Sequence, residues 1–503
     1  MLSKRTHSLA SRFSASSSTV RPRLQRSFST KPPESSGNAG VIQETISGHA
    51  ATAIQATGRF FKFSAIGLLA LGITVYTGYE ATHQYVEHVA LKPETDDEVR
   101  KFQWDMSEEN WNGDPLVGGT DPGLGYIGRH ALRAAWMARN WGIGPPELHA
   151  TKLGQPEETG VDMQLTQTLG YLKIALVAAK SRASTSNVHP LTSPELSNRY
   201  ASLLERLGSK YLLTSLEYFQ QAWEGYSGQG LPSARIASKM GDISSRLHDD
   251  QKARQWWKTA IKLCQGRPEI GPLLQPTHLP ASPWAQRIIA STLVSVSVHY
   301  AQSGKLSEAE AFEEASLNFL RSIPTPQSLA TASPPQALHS LFILQRSSLL
   351  SIHLAEVLHA QKRSPIASIQ WLASAAESSE RVARALSGLS LQASPDTPIQ
   401  LQIPSDNDKI LSVYKSSRCM SDVASRLYRD ARRTSAEAWN LLGVLYEKRD
   451  GPTSKDALRC YDRAVRWAGK LDEANEFTTE ADWNTFLSNL QRAQRASGQV
   501  QDS

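Results

Sequence analysis

The sequence predicts an all-α protein, an array of helical hairpins behind a single N-terminal transmembrane helix. Three observations lead there. Phe63 to Tyr79 run without a charge, bounded by Arg59 and Lys62 before and Glu80 after. From residue 127 onward apolar residues recur at three- and four-residue intervals, the period of an amphipathic helix, and no stretch alternates as a half-buried strand does. Proline and glycine cluster only at intervals, as punctuation between helices. At 503 residues the chain exceeds one compact core, which suits a repeat array or several units.

Residues 1–29 carry Lys4, Arg5, Arg12, Arg21, Arg23 and Arg26, many serines and no acid. Basic, serine-rich and acid-poor is the composition of a mitochondrial presequence, whose charge responds to the inner-membrane potential. Arg26-Ser27-Phe28-Ser29 resembles the processing site of matrix peptidase substrates. Residues 30–58 then read as a flexible matrix linker.

Residues 60–80 read as the transmembrane helix. At about 1.5 Å per residue the uncharged run nearly crosses a hydrocarbon layer of about 30 Å, and Phe60, Phe61 and Tyr76 extend its reach. Gly67, Gly72 and Gly78 leave room for another membrane helix, although anchoring alone accounts for the stretch. Arg59 and Lys62 precede it, whereas Glu80, Glu87, Glu94, Asp96, Asp97 and Glu98 follow. The positive-inside rule therefore predicts an inner-membrane protein with its N-terminus in the matrix and its C-terminal bulk in the intermembrane space. His83, Tyr85 and His88 read as interfacial residues. Residues 81–126 read as a juxtamembrane linker, with Trp104 and Trp111 either at the membrane interface or packed on the first helix.

The six basic residues of the leader match the formal net charge of +6, so the remainder is near neutral. Such a remainder has no general attraction for nucleic acid. Cys264, Cys419 and Cys460 stand far apart without metal-ligand or redox spacing. Gly123 to Gly128 spells GxGxxG, but the preceding GGTDP is a turn, and a dinucleotide site needs a strand there. Gly225 to Gly230 misses the GxSxG nucleophile elbow by one position and follows a helix. No HExxH, calcium-loop or Walker sequence occurs. The expectation is a non-catalytic protein without cofactor or metal, and no catalytic, cofactor or metal residue is assigned.

Residues 127–497 read as the working domain, opening with helices at 127–141 and 163–182, and 498–503 as a disordered tail. The clearest unit places Trp439, Leu442, Gly443 and Tyr446 on one helix face and Ala457, Tyr461 and Ala464 on the next. This pattern resembles the tetratricopeptide repeat family, with a turn two residues longer than usual. Gly241, Ala253, Trp257 and Ala260 share the spacing, with Ala237 at the aromatic position, as do Leu354, Ala355, Leu358, Ala367 and Trp371. Tyr300 with Ala309, and Ser215 with Phe219 and Ala222, mark weaker units. The proline-bearing inserts 266–283, 322–335 and 391–408 stretch the repeat beyond its usual length of about 34 residues. Residues 475–497 read as a capping helix with Trp483, Phe486 and Leu487 on one side.

Presequence, one span and degenerate repeats together resemble the fungal adaptor subunit of the i-AAA protease. That resemblance implies a repeat groove in the intermembrane space that binds unfolded or misfolded proteins and passes them to the ATP-driven protease. It places no substrate-binding residue on this sequence. The same architecture serves an alternative, a scaffold for assembly or import of inner-membrane complexes.

Overall fold

The computed structural model describes residues 40–106, 111–114, 117–142, 163–183, 187–389, 410–469 and 483–501. The presequence, the first part of the matrix linker and the insert 391–408 lie outside the described residues. The chain divides into two units, Met1–Thr77 and Gly78–Ser503.

In the first unit the described chain is helix. Helix α1 spans Gly40–Tyr85, so residues 40–58 are helical where the sequence suggests a flexible linker. No proline interrupts Gly40 to Tyr85, and alanine, isoleucine and glutamine there are compatible with helix. From Phe60 to Tyr76 the large apolar side chains are exposed, Leu68 at 70% and Phe63 at 69%. Thr74 and Thr77 donate their hydroxyls to the carbonyls of Ala70 and Ile73, which satisfies both within the helix. A second helix, Pro334–Ala360, is also long and apolar enough to cross a membrane, but 61% of its apolar window is buried in protein, against none for Ala56–Ala90.

The second unit is helical throughout, with no strand among the described residues. After a π-helical turn at Val86–Ala90 come the short α2 (Asp97–Lys101), then α3 (Gly125–Trp141) and α4 (Met163–Arg182). Next are α5 (Thr192–Arg206), α6 (Leu212–Gly225), α7 (Gly230–Arg246) and α8 (Asp250–Gln265). They are followed by α9 (Pro283–Gln302), α10 (Leu306–Arg321), α11 (Pro334–Ala360) and α12 (Pro365–Ser387). The last are α13 (Ser412–Lys415), α14 (Arg418–Asp450), α15 (Lys455–Ala468) and α16 (Trp483–Gln501). Helix α16 enters the stretch expected as a disordered tail.

Neighbours in sequence pack as neighbours in space: α3 on α4, α5 on α6, α7 on α8, α9 on α10, α11 on α12, α14 on α15. Starts and stops follow from local chemistry. Asp249, Ser282 and Ser454 cap α8, α9 and α15 by accepting from Lys252, Ala285 and Ala457 N–H groups. Prolines 283, 334 and 365 sit in first turns, where a missing N–H costs nothing.

Two hairpins depend on glycine under an aromatic ring. A Cβ at Gly241 would stand 2.5 Å from the Trp257 ring, and one at Gly443 would stand 2.6 Å from the Tyr461 ring. Trp257 and Tyr461 are both buried. Farther along, the buried Glu380 of α12 joins three helices. It accepts from Trp439 Nε1 of α14 at 3.0 Å, from Arg463 of α15 at 3.0 Å and from Arg384 at 2.7 Å.

Gly241→Ala and Gly443→Ala should each destabilise the fold by about 1–3 kcal/mol, because an added methyl meets a ring with no room to move. Gly170→Ala, on α4 with nothing near its Cβ position, should stabilise by about 0.5–1 kcal/mol. Thermal unfolding of the detergent-solubilised chain checks both.

Candidate binding cavity

The described residues of 81–126, expected as a juxtamembrane linker, are packed against the helical pairs. Asp96 caps α2 by accepting from the Glu98 N–H at 2.9 Å. Gln103, with φ of 54°, turns the chain sharply after it. Trp104 is 1% exposed, and its indole N–H donates to the Pro335 carbonyl at 3.0 Å. The Arg287 guanidinium of α9 lies 3.7 Å over the Trp104 ring centre. The same guanidinium donates to the carbonyls of Phe102 and Gln103, both at 2.9 Å. Gln103 Oε1 accepts from Ser282 and from the Trp284 N–H. Trp104 is therefore neither a membrane-interface residue nor packed on the first helix. Trp111 likewise leaves the interface, lying under the Arg199 guanidinium at 3.8 Å.

Burial pushes the Arg287 guanidinium down to about 9, with Asp105 opposing, so it remains charged at neutral pH. His339 stands next to it. Burial, then Arg287, pushes this imidazole down to about 3. Its Nε2 therefore donates to Gln286 Oε1 at 2.9 Å, and its Nδ1 accepts from Arg287 at 3.4 Å.

His83 also departs from the sequence reading. It is fully buried, with rings of Tyr79 and His130 at 4.4 and 4.6 Å, and is not interfacial. Tyr85 and His88 are exposed. Glu87 is buried and paired with Arg129 at 2.9 Å and Arg133 at 3.0 Å, and it accepts from the Thr120 N–H and hydroxyl. The stretch is anchored here because the buried Glu87 finds two arginines of α3.

Beside Trp104 opens a cavity of about 420 Å³. Its walls come from α7, α9, α11 and α14, and α7, α9 and α11 are the first helices of consecutive pairs. Trp284 and Phe342 give it aromatic surface. Arg235, Lys239, Arg287, Arg346 and Arg426 bring five cations against two carboxylates, Asp242 and Asp430. Burial pushes the Asp242 carboxyl up, although it accepts from Trp257 Nε1 at 3.0 Å. No signal in the sequence had singled these residues out. They become neighbours only when helices over a hundred residues apart pack together.

A second polar cluster lies between α9, α10 and α11. The buried Ser297 hydroxyl bridges Glu313 Oε1 and His353 Nδ1, the latter at 3.0 Å. Serine, histidine and glutamate suggest a nucleophile, but in a hydrolytic triad the histidine stands between the other two. Here the serine does, and it is fully buried, so the cluster lacks the geometry of such a triad. Burial pushes the Glu313 carboxyl up to about 8.

The formal GxGxxG has another use. A Cβ at Gly123 would stand 2.5 Å from the Val188 backbone, and Asp121 accepts from the Gly123 and His189 N–H groups, both at 2.8 Å. The glycine permits a tight chain crossing, and a 3₁₀ turn, not a strand, precedes α3. No group of three or more metal-ligating side chains occurs among the described residues. Burial raises the thiols of Cys419 to about 11 and Cys460 to about 12, which keeps both protonated.

Trp104→Ala should cost about 3–5 kcal/mol and expose the Arg100–Lys101 peptide to faster trypsin cleavage. Glu313 gives a pH test. Its folded value of about 8 exceeds the ordinary 4.5, so the folded state keeps a proton that the unfolded state releases. Its contribution to stability therefore falls as pH rises from 4.5 to about 8 and is constant above. Glu313→Gln should remove that slope and gain most over the native chain at and above pH 8, as read from melting temperature against pH.

No protein-family model matches this chain, and no curated protein matches it. Among the solved structures that match is the crystal structure of BtubC (BKLC) from P. vanneervenii. It is 13% identical, covers 62% of this chain and 84% of its own, and has a TM-score of 0.32, which carries no argument about fold or function.

Proposed function

We propose that this protein is a non-catalytic adaptor anchored in the mitochondrial inner membrane. In this reading residues 60–80 cross the bilayer once, the N-terminus lies in the matrix, and degenerate tetratricopeptide-like hairpins face the intermembrane space. Their groove takes unfolded or misfolded segments and assists delivery to the i-AAA protease. The observation that carries the reading is the cavity walled by α7, α9, α11 and α14, a concave surface to which several helical pairs contribute. Such surfaces suit extended or helical peptide segments. The membrane assignment draws support from the exposed apolar run of α1, since a water-soluble surface rarely presents so many contiguous apolar side chains. The basic, acid-free leader supports the compartment.

Affinity purification from digitonin-solubilised mitochondria should recover the AAA protease together with the tagged protein, and its absence would remove the adaptor assignment. Added protease should leave the C-terminus intact in whole mitochondria and digest it once the outer membrane is opened. Digestion in whole organelles would place the helical pairs in the cytosol instead.

A further inference from the structure

We propose that the cavity beside Trp104 is an anion site, with Arg346 receiving a carboxylate or phosphate group. The proposal rests on the groove-binding reading only for the source of that group. Arg346 and Glu356 are the only charged residues of α11, a helix with a long apolar window. The Arg346 side chain reaches the cavity and lies over the Phe342 ring at 4.9 Å. Its Nε is buried with no hydrogen-bond partner, and among the described residues no ion pair reaches it.

The other cations are engaged differently. Arg287 is held by two backbone carbonyls and the Trp104 ring. Lys239 pairs with Glu205 at 3.3 Å, and Arg426 Nε donates to the Asp422 carbonyl. Asp242 and Asp430 act on Arg346 only through space, and burial pulls its pKa down. A guanidinium whose Nε is buried with no carboxylate on it is costly, and a bound anion on the side that faces the cavity would offset that cost. Five cations against two acids leave a positive field that an incoming anion relieves. A guanidinium fork suits carboxylate and phosphate oxygens alike, through paired N–H donors. A volume of about 420 Å³ admits several side chains or a small organic anion, with Trp284 and Phe342 to cover its apolar part.

The test is calorimetric titration of the full chain in detergent micelles. The probes are a ten-residue peptide of glutamate, leucine and glycine, its glutamine-for-glutamate counterpart, and inorganic phosphate. The glutamate peptide should bind about tenfold more tightly than the glutamine peptide, with the gap closing as salt rises. Arg346→Gln should abolish that gap with helicity unchanged. Arg346→Lys, which keeps the charge without the fork and serves if the glutamine variant misfolds, should retain part of it. Competition by phosphate would identify a free oxyanion as sufficient, whereas a glutamate preference indifferent to phosphate would identify the polypeptide carboxylate. Equal binding of both peptides with no heat from phosphate would overturn the anion site while leaving groove binding intact. Phosphate binding lost in Arg346→Gln, without binding of either peptide, would keep the site and remove the groove reading. Native-like behaviour of Arg346→Gln would overturn the proposal.

Discussion

The Arg287 guanidinium is the contact on which the arrangement around the cavity depends. One side chain closes two backbone carbonyls and covers an indole, so a segment that follows α2 is fixed among helices nearly two hundred residues later. Each of those partners would be expensive to leave unmatched in a dry interior: a buried carbonyl without a donor and an arginine without an acceptor. Fixing the segment also sets the cavity's lining, because Trp104 forms part of its wall. Burial keeps His339 neutral, and the same Arg287 reinforces it, since a second cation beside the guanidinium would be repelled.

Elsewhere the helices are joined by close approach and by shared polar groups. Where two helices meet through a glycine, an aromatic ring occupies the missing side chain's place, as Trp257 does at Gly241 and Tyr461 at Gly443. Where they meet through charge, one carboxylate serves several partners, as Glu380 does for Trp439, Arg384 and Arg463. Such a carboxylate rewards a single register of its helices, because a shift of α12 by one turn would break the contacts to Trp439 and Arg463 together.

What could be read in the sequence and what could not divides along the range of the interaction. The glycine–aromatic spacings, the proline-opened helices and the bounds of α3 and α4 are local, and each is visible within a few turns of chain. The expectation of an all-helical protein follows from the same local periodicity. Trp104 was ambiguous because its partners, Pro335 and Arg287, are far away in sequence and nothing near it announces them. His83 looked interfacial because its covering ring, His130, belongs to another helix. The cavity was invisible for the same reason, although one trace of it stood in plain view: an arginine alone in the middle of the most apolar of the packed helices.

That arginine bears on how the chain is sorted. In the membrane-anchored reading a translocation channel would meet two long apolar helices in succession, whose apolar windows of 18 residues have mean hydropathies of 1.6 within Ala56–Ala90 and 1.3 within Pro334–Ala360. An arginine near a helix centre adds about 2.5–3.5 kcal/mol to the cost of leaving the channel sideways into lipid. Arg346 imposes such a cost at the centre of α11, whereas the run from Phe63 to Tyr79 carries no charge. In that reading one arginine raises the cost of lateral release for the packed helix and favours its folding with its neighbours.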